Sequence, residues 1–347
     1  MHGGRSDRQT SRLAWKGESV TRTNWTFAAF LVLVLAGACV APFLVKPYTL
    51  EILIIFLINL ILVCSYRIPA MTGDWSLSHV VMMGVGAYTT ALLSTHLDLS
   101  ILLTVPLSAI VAGILGYIIV LPMIRTRGFG FFIASFAIGE FVRLTWVKFR
   151  DVFGGPRGMI GIPNGEIGSI DLFFATPSYF FMLVIAFICL TIMYRIDKSR
   201  IGSTFVAIYK DEELAEAVGI NVPHYRALAF ATGTFFAGIA GALLAHRLGA
   251  VDPKGFDINT MVYLIIWIVV GGSATFWGPI VGLIVVTFAF EWTRPLLEWR
   301  PLLFGGLLIF FLVFLPGGLE SLLAKIRQRL VPGQNDDAAA SPGTAGE

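Results

Sequence analysis

The residues able to do chemistry in this 347-residue chain are few, and their spacing excludes more than it offers. Five histidines and three cysteines are scattered, without the short spacings that build a metal site. Cys39, Cys64 and Cys189 all fall inside apolar blocks; an odd number of such thiols makes no disulfide framework, so they read as packing residues. Two Gly-rich stretches, "GGPRGMIG" (154–161) and "GGSATFWG" (271–278), lack the Gly-Lys-Ser/Thr ending that grips β- and γ-phosphates. The chain is therefore expected to hold no metal or other cofactor, to have no catalytic residues and not to hydrolyse ATP. No basic stripe interleaved with aromatics points to nucleic acid.

Two polar constellations remain. The first is "KDEELAEAVGINVP" (210–223). Asp211 suits an N-cap, and Glu212 and Glu213 then lie in the first turn, where the helix dipole favours negative charge. Gly219 is a natural C′ residue, and Pro223 discourages continuation. The spacing predicts a helix of about eight residues over 211–218. Isolated helices shorter than ~12–15 residues are marginal in water, so something must hold this one. Leu214 and Val218, at i and i+4, form a small apolar stripe. Such a helix could dock into a groove of another protein, or could lie solvated against its own chain.

The second constellation is Glu140 and Arg143, one turn apart within the apolar block 129–147. Charges at membrane depth cost about 2.5–3.5 kcal/mol on insertion scales and usually face protein or a cavity. An i, i+3 pair can neutralise itself as a structural ion pair, or the two can serve a pathway or gate. Phe129, Phe131 and Phe132 nearby could line a constriction or contact lipid and neighbouring helices.

The elements that must position these residues are set by composition. Apolar residues make up 56% of the chain and charged ones 14%, against about 25% charged in soluble domains. The apolar residues fall in blocks approaching the ~20 residues that cross a bilayer. This predicts an all-α, polytopic transmembrane helical bundle. Lys and Arg mark cytoplasmic loops, and they concentrate in the N-terminal tail, at 125–127, over 195–226 and at 325–329. Ten crossings, near 27–45, 50–66, 79–95, 100–122, 129–147, 178–194, 227–246, 260–271, 279–293 and 299–316, place all four inside and both termini in the cytoplasm. Segment 71–79 and the short segments 260–271 and 279–293 read either as broken or re-entrant elements buried in protein, or as ordinary turns. Trp25, Trp146, Trp292 and Trp299 sit at block edges, as interfacial anchors do. Gly84, Gly86, Gly238 and Gly241 suit close helix contacts. The expected organisation is a basic cytoplasmic tail (1–24), a membrane domain (25–331) with a cytoplasmic loop at 195–226, and a disordered tail (332–347).

Several longer stretches then carry a resemblance. "ELAEAVGIN" (213–221) looks like the coupling motif of ABC-importer permeases. With "TGDWSLSHVVMMGVGAYTTALL" (72–93), "RTRGFGFFIASFAIGEFVRL" (125–144), "GGPRGMIGIP" (154–163), "VVGGSATFWGPIVG" (269–282) and "FLPGGLESLL" (314–323), the chain from about 48 to 330 resembles the LivM-like permease subunits of branched-chain amino-acid ABC importers. Departures fall at "LVCSYRIPAM" (62–71), with Arg67 and Pro69, and after Arg127-Gly128, and they bear on which solute is carried. The N-terminal tail is also long for the family.

The resemblance implies a multi-pass permease in a bacterial or archaeal inner membrane. It implies a second permease subunit, two cytoplasmic ATPase subunits that use ATP and Mg, and an extracytoplasmic solute-binding protein. Glu212, Glu213, Glu216 and Gly219 would then meet an ATPase, and Phe129, Phe131, Phe132, Glu140 and Arg143 would line the pathway. A urea or short-amide permease of the same family is the alternative cargo reading. An ion-coupled secondary transporter is the alternative of another class, though it needs no docking helix and usually carries midplane carboxylates, of which Glu140 is the one good candidate.

Overall fold

The computed structural model describes residues 37–168, 170–294, 299–314 and 317–321. The tails 1–24 and 332–347, Trp25, most of the first expected crossing (27–36) and the basic cluster 325–329 lie outside them. Among the described residues, 37–53, helical over 37–44 and again from Pro47, belong to one compact unit, and those from Ile54 onward to a second.

The described chain is mainly helical. The longer helices are α1 (Pro47–Ala70), α2 (His79–His96), α3 (Ile101–Met123), α4 (Phe129–Lys148), α5 (Ala175–Asp197) and α8 (Val222–Leu248). Between α5 and α8 lie α6 (Arg200–Lys210) and α7 (Glu212–Ala217); α9 (Ile258–Gly271), α10 (Gly278–Trp292) and α11 (Arg300–Phe314) follow. Five of these, α1, α3, α4, α5 and α8, are long and apolar enough to cross a bilayer. The shorter α9 and α10 reach only about 21–23 Å at 1.5 Å per residue, below the ~30 Å hydrocarbon core. Strands are confined to two pairs of dipeptides, Met159–Ile160 (β1) with Ala250–Val251 (β4) and Glu166–Ile167 (β2) with Ile170–Asp171 (β3), both antiparallel.

Helix α8 is the spine. Asn221 Oδ1 caps it by accepting from the His224 amide, Pro223 sits in its first turn, and Gly249 closes it in the left-handed region at φ 65°. Two-thirds of its apolar window is buried, against 22% for α4 and 28% for α5. Small residues make that burial possible, because in lipid helices associate by close packing and not by an apolar driving force. A Cβ at Gly86 (α2) would collide with the Gly238 backbone, one at Gly241 with the Met83 carbonyl, and one at Gly116 (α3) with the Thr234 hydroxyl. Thr90 and Ser108 hydroxyls join α2 to α3 at 2.6 Å. Gly84 faces the Trp146 and Phe256 rings. The expected role of Gly84, Gly86, Gly238 and Gly241 is what the structure shows. The pair α9 and α10 repeats the device, with Gly271, Gly278 and Gly282 at their contact.

The chain reversals gather at two ends. Arg67, Asp74, the 124–127 turn, Asp197, Arg226 and the 272–277 loop are joined by hydrogen bonds at one end. At the other, His246 bridges the Thr104 hydroxyl (2.8 Å) and the Pro163 carbonyl (2.7 Å), and β1 pairs with β4. Of the four basic clusters, the two within the described residues, 125–127 and 195–226, fall at the first of these ends.

Two expectations need correction. Trp146 is no interfacial anchor: it is 4% exposed, stacks on Tyr88 at a centroid separation of 4.5 Å and meets the Phe256 ring edge-on, while Phe153, from the segment after α4, packs edge-on against Tyr88. Cys64 and Cys189 are buried packing residues, but Cys39 is exposed. Trp292 and Trp299 are exposed, as anchors require.

Gly86→Val should lower the thermal unfolding midpoint in detergent by several degrees, since overpacking costs about 1–3 kcal/mol or more when backbone must move. Gly130→Ala, where a Cβ meets only the Thr126 side chain at 3.4 Å, should leave it unchanged within about a degree. Equal shifts in the two variants would show that the α2–α8 contact is not tight.

Candidate functional site

The short helix of the 195–226 loop forms where the sequence places it, but it is shorter. Helix α7 spans six residues, with Asp211 as its cap: Oδ1 accepts from the Leu214 amide at 2.9 Å. Asp211 is itself extended (φ −159°, ψ 101°), so it ends α6 as well as starting α7. At the far end Gly219, at φ +88°, donates its amide to the Glu216 carbonyl (2.9 Å), and the Ile220 amide reaches the Ala215 carbonyl (3.1 Å). Those two bonds form a Schellman closure, which needs the left-handed residue that glycine supplies.

Helix α7 is held from one side only. Ala215 is buried with Ile208 of α6 and Val222 of α8, with Ile220 and Tyr225 packed around them. On the outer side Leu214 is 61% and Val218 70% exposed, beside exposed Glu213 and Glu216. An apolar stripe rimmed by carboxylates is thus presented outward from a structured corner.

Glu212 behaves differently. Its side chain is mostly buried and points inward, with Oε1 3.2 Å from Arg127 Nη2 and 3.8 Å from Arg226 Nη1. Of the four residues singled out on this helix, three lie at the surface and Glu212 ties the helix to its own chain.

Arg226, in the second turn of α8, is the most connected side chain at this end. Its guanidinium donates to both Asp74 carboxylate oxygens (2.8 and 2.5 Å) and to the carbonyls of Ile124 and Thr126 (3.3 Å each), and it lies 5.6 Å from the centre of the Phe131 ring. Both side chains of the pair are buried. A second buried pair, Arg67 with Asp197, joins α1 to the end of α5, and Arg67 also donates to the Ala274 carbonyl at 3.3 Å. Sequence reasoning singled out Arg67 and the segment 71–79 that contains Asp74, but took Arg226 only as part of the basic stretch 195–226 and did not single out Asp197.

Between these two clamps runs the break 71–78. Its backbone is irregular, yet Thr72, Asp74, Ser76 and Ser78 are all buried, as irregular backbone at membrane depth must be. Its groups are satisfied by neighbours: Tyr66 Oη accepts from the Ser76 amide (3.0 Å), and Ser135 Oγ of α4 from the Leu77 amide (2.8 Å). Gly73, at φ +87°, lies beneath the Tyr209 ring.

Helix α4 carries the intramembrane charges. Arg143 donates from Nε and Nη2 to the two Glu140 oxygens, at 2.9 and 2.5 Å, closing a bidentate pair whose side chains are 20% and 33% exposed. Phe129 is exposed and stacks with Phe132 at 6.2 Å, whereas Phe131 is buried against Phe230 and the Arg226 guanidinium. The structure therefore separates the three phenylalanines onto two faces. Among the described residues no group of three His, Cys, Asp or Glu could hold a metal.

A bundle of apolar helices, five of them long enough to cross a bilayer, is the architecture of a polytopic membrane protein. The chain belongs to the family of permease components of branched-chain amino acid transport systems, matched over residues 48–314. It is 26% identical over 314 residues to the high-affinity branched-chain amino acid transport system permease protein LivM of Escherichia coli K12, covering 84% of this chain and 74% of that one. The LivM protein of Salmonella typhimurium gives the same identity and coverage. The LivH permease of Escherichia coli K12 is 30% identical over a shorter stretch of 138 residues, 39% of this chain and 44% of that one. No solved structure matches the chain.

Replacing Glu140 alone with Leu leaves the Arg143 guanidinium without its bidentate partner, and should destabilise the protein by about 1–3 kcal/mol. The double change Glu140→Leu and Arg143→Leu should recover most of that loss in a thermal unfolding assay in detergent. A double variant no better than the single one would show that the two charges do not act as a unit.

Proposed function

We propose that this chain is the membrane-spanning permease subunit of an ATP-binding-cassette importer that carries branched-chain or related amino acids into the cell. Helix α7 carries the reading: six residues, capped at both ends, anchored through Ala215, and offering Leu214 and Val218 outward between carboxylates at the basic end. A partner groove with an apolar floor and a basic rim would complete it. Family membership and the names of the relatives support the class and the cargo.

In this reading the basic end is cytoplasmic, as the positive-inside rule requires, and both termini lie there after about ten crossings. Two cytoplasmic ATPase subunits supply the energy, with ATP and Mg bound to them and none to this chain. One of them seats on α7, with Glu213, Glu216 and Gly219 at the contact and Glu212 behind it. A second permease subunit covers the open faces of α4 and α5, and an extracytoplasmic binding protein delivers solute. The Glu140–Arg143 pair and the exposed Phe129 edge of α4 then face the pathway between the two permeases, where charge at membrane depth is tolerated. Closure of the ATPases biases the bundle between outward- and inward-open arrangements. Arg67 is engaged by Asp197 and the Ala274 carbonyl, which supports a structural role for that residue of the 62–71 departure.

The test is uptake of labelled leucine, isoleucine or valine by cells expressing the chain with its partner subunits. Uptake should stop when ATP is depleted and persist when a proton ionophore collapses the gradient while ATP is held; the reverse pattern would mark an ion-coupled transporter. Competition by urea but not by leucine would reassign the cargo. Valine at φ +88° costs about 1–3 kcal/mol, so Gly219→Val should cut uptake by about tenfold or more at an unchanged amount of protein in the membrane.

A further inference from the structure

We infer that Arg226 and Asp74 are positioning residues that carry a displacement of the docking helix α7 through the 71–78 break to α4; the inference rests on α7 being the ATPase contact.

The first link is the corner itself. Ala215, Ile208 and Val222 share one small core with Ile220 and Tyr225, so α7 cannot move without the first turn of α8. Arg226 follows Val222 by one turn and lies on the same side of that helix. Glu212 adds a second tie from α7 to the same guanidinium.

The second link is the buried pair. Arg226 grips Asp74 with two hydrogen bonds in a site closed to solvent. Neither group can be released into the interior alone, because each would become an unpaired buried charge. Guanidinium and carboxylate therefore travel together. Thr72 Oγ1, 3.0 Å from Asp74 Oδ2, makes the carboxylate part of the break and not a loose side chain.

The third link joins the break to α4. The Leu77 amide donates to Ser135 Oγ, and a Cβ at Gly139 would lie 3.1 Å from Ser78 Cβ and 3.2 Å from its Cα. The break thus touches α4 at two successive turns, and Glu140, the acid of the intramembrane pair, follows Gly139 directly. A shift at α7 arrives one residue from the charge that faces the pathway in the proposed function. The exposed Arg127–Glu212 contact is not needed for this route; its guanidinium is 62% exposed, and such pairs are weak.

Amide hydrogen exchange on the purified full chain tests the links without any ATPase. Gly219→Val, which distorts the end of α7, should raise exchange at Ser76 and Leu77 by about threefold or more in the otherwise native chain. In an Asp74→Asn background the same change should have no effect there. Ser135→Ala should leave the response at Ser76 intact and abolish its spread to α4 amides at 136–140. Equal responses with and without Asp74→Asn, or no response to Gly219→Val, would overturn the inference. In the reconstituted complex with its ATPases, Asp74→Asn should lower solute imported per ATP hydrolysed by about tenfold. A merely structural defect lowers both in proportion to the assembled complex and leaves that ratio unchanged, which would also overturn it. Failure of the wild-type complex to import on ATP would sink the proposed function, while the exchange experiment would still decide the links.

Discussion

One buried carboxylate and one buried guanidinium, 152 residues apart, hold the basic end of this protein together. Asp74 sits in a segment with no regular backbone and Arg226 in the longest described helix, so their pairing attaches an irregular part of the bundle to the most buried of its five membrane-length helices. Loss of either partner from a buried pair typically costs about 3–5 kcal/mol, a large share of the 5–15 kcal/mol by which domains are stable. The carbonyls of Ile124 and Thr126 complete the donor set of Arg226, and the α3–α4 turn is thereby fixed to the same centre. Arg67 and Asp197 repeat the arrangement on the other side of the break.

The apolar helices around this centre obey a different rule. Lipid offers no hydrophobic reward for association, so α2, α3 and α8 approach by removing side chains. Gly86, Gly116, Gly238 and Gly241 let backbone meet backbone or hydroxyl, and the Thr90–Ser108 bond adds direction. That core is rigid because each contact is limited by atoms that cannot move aside. The outer helices α4 and α5 leave most of their apolar surface uncovered, which suits elements shared between lipid and a second chain.

A six-residue helix is too short to persist on its own propensity. Here Asp211 satisfies its first turn, the Gly219 closure its last, and Ala215 buries its inner face. The result is a small rigid block with an unpartnered apolar outer face on a shared core with α8. Rigidity toward its own chain and exposure toward a partner are what a transmitting contact requires.

Much of this was legible in local sequence. Asp211 and Gly219 marked the ends of α7 because capping is decided by neighbours within a few residues. The apolar blocks gave the long helices, Gly84, Gly86, Gly238 and Gly241 gave close contacts, and Glu140 and Arg143 at i, i+3 met as one turn of helix dictates. The basic clusters at 125–127 and 195–226 marked two loops that meet at one end, since charge cannot be left in hydrocarbon. Four things were decided only in three dimensions. Trp146 is a core residue because Tyr88 of α2 and Phe256, both distant in sequence, pack against its ring. Phe131 parts from Phe129 because it lies beneath Arg226, and Glu212 parts from Glu213 and Glu216 because it turns inward. The pairing of Asp74 with Arg226, and of Arg67 with Asp197, depends on which ends of which helices meet. No periodicity or spacing encodes that meeting, for a charge records that it needs a partner and not which partner the packing will bring.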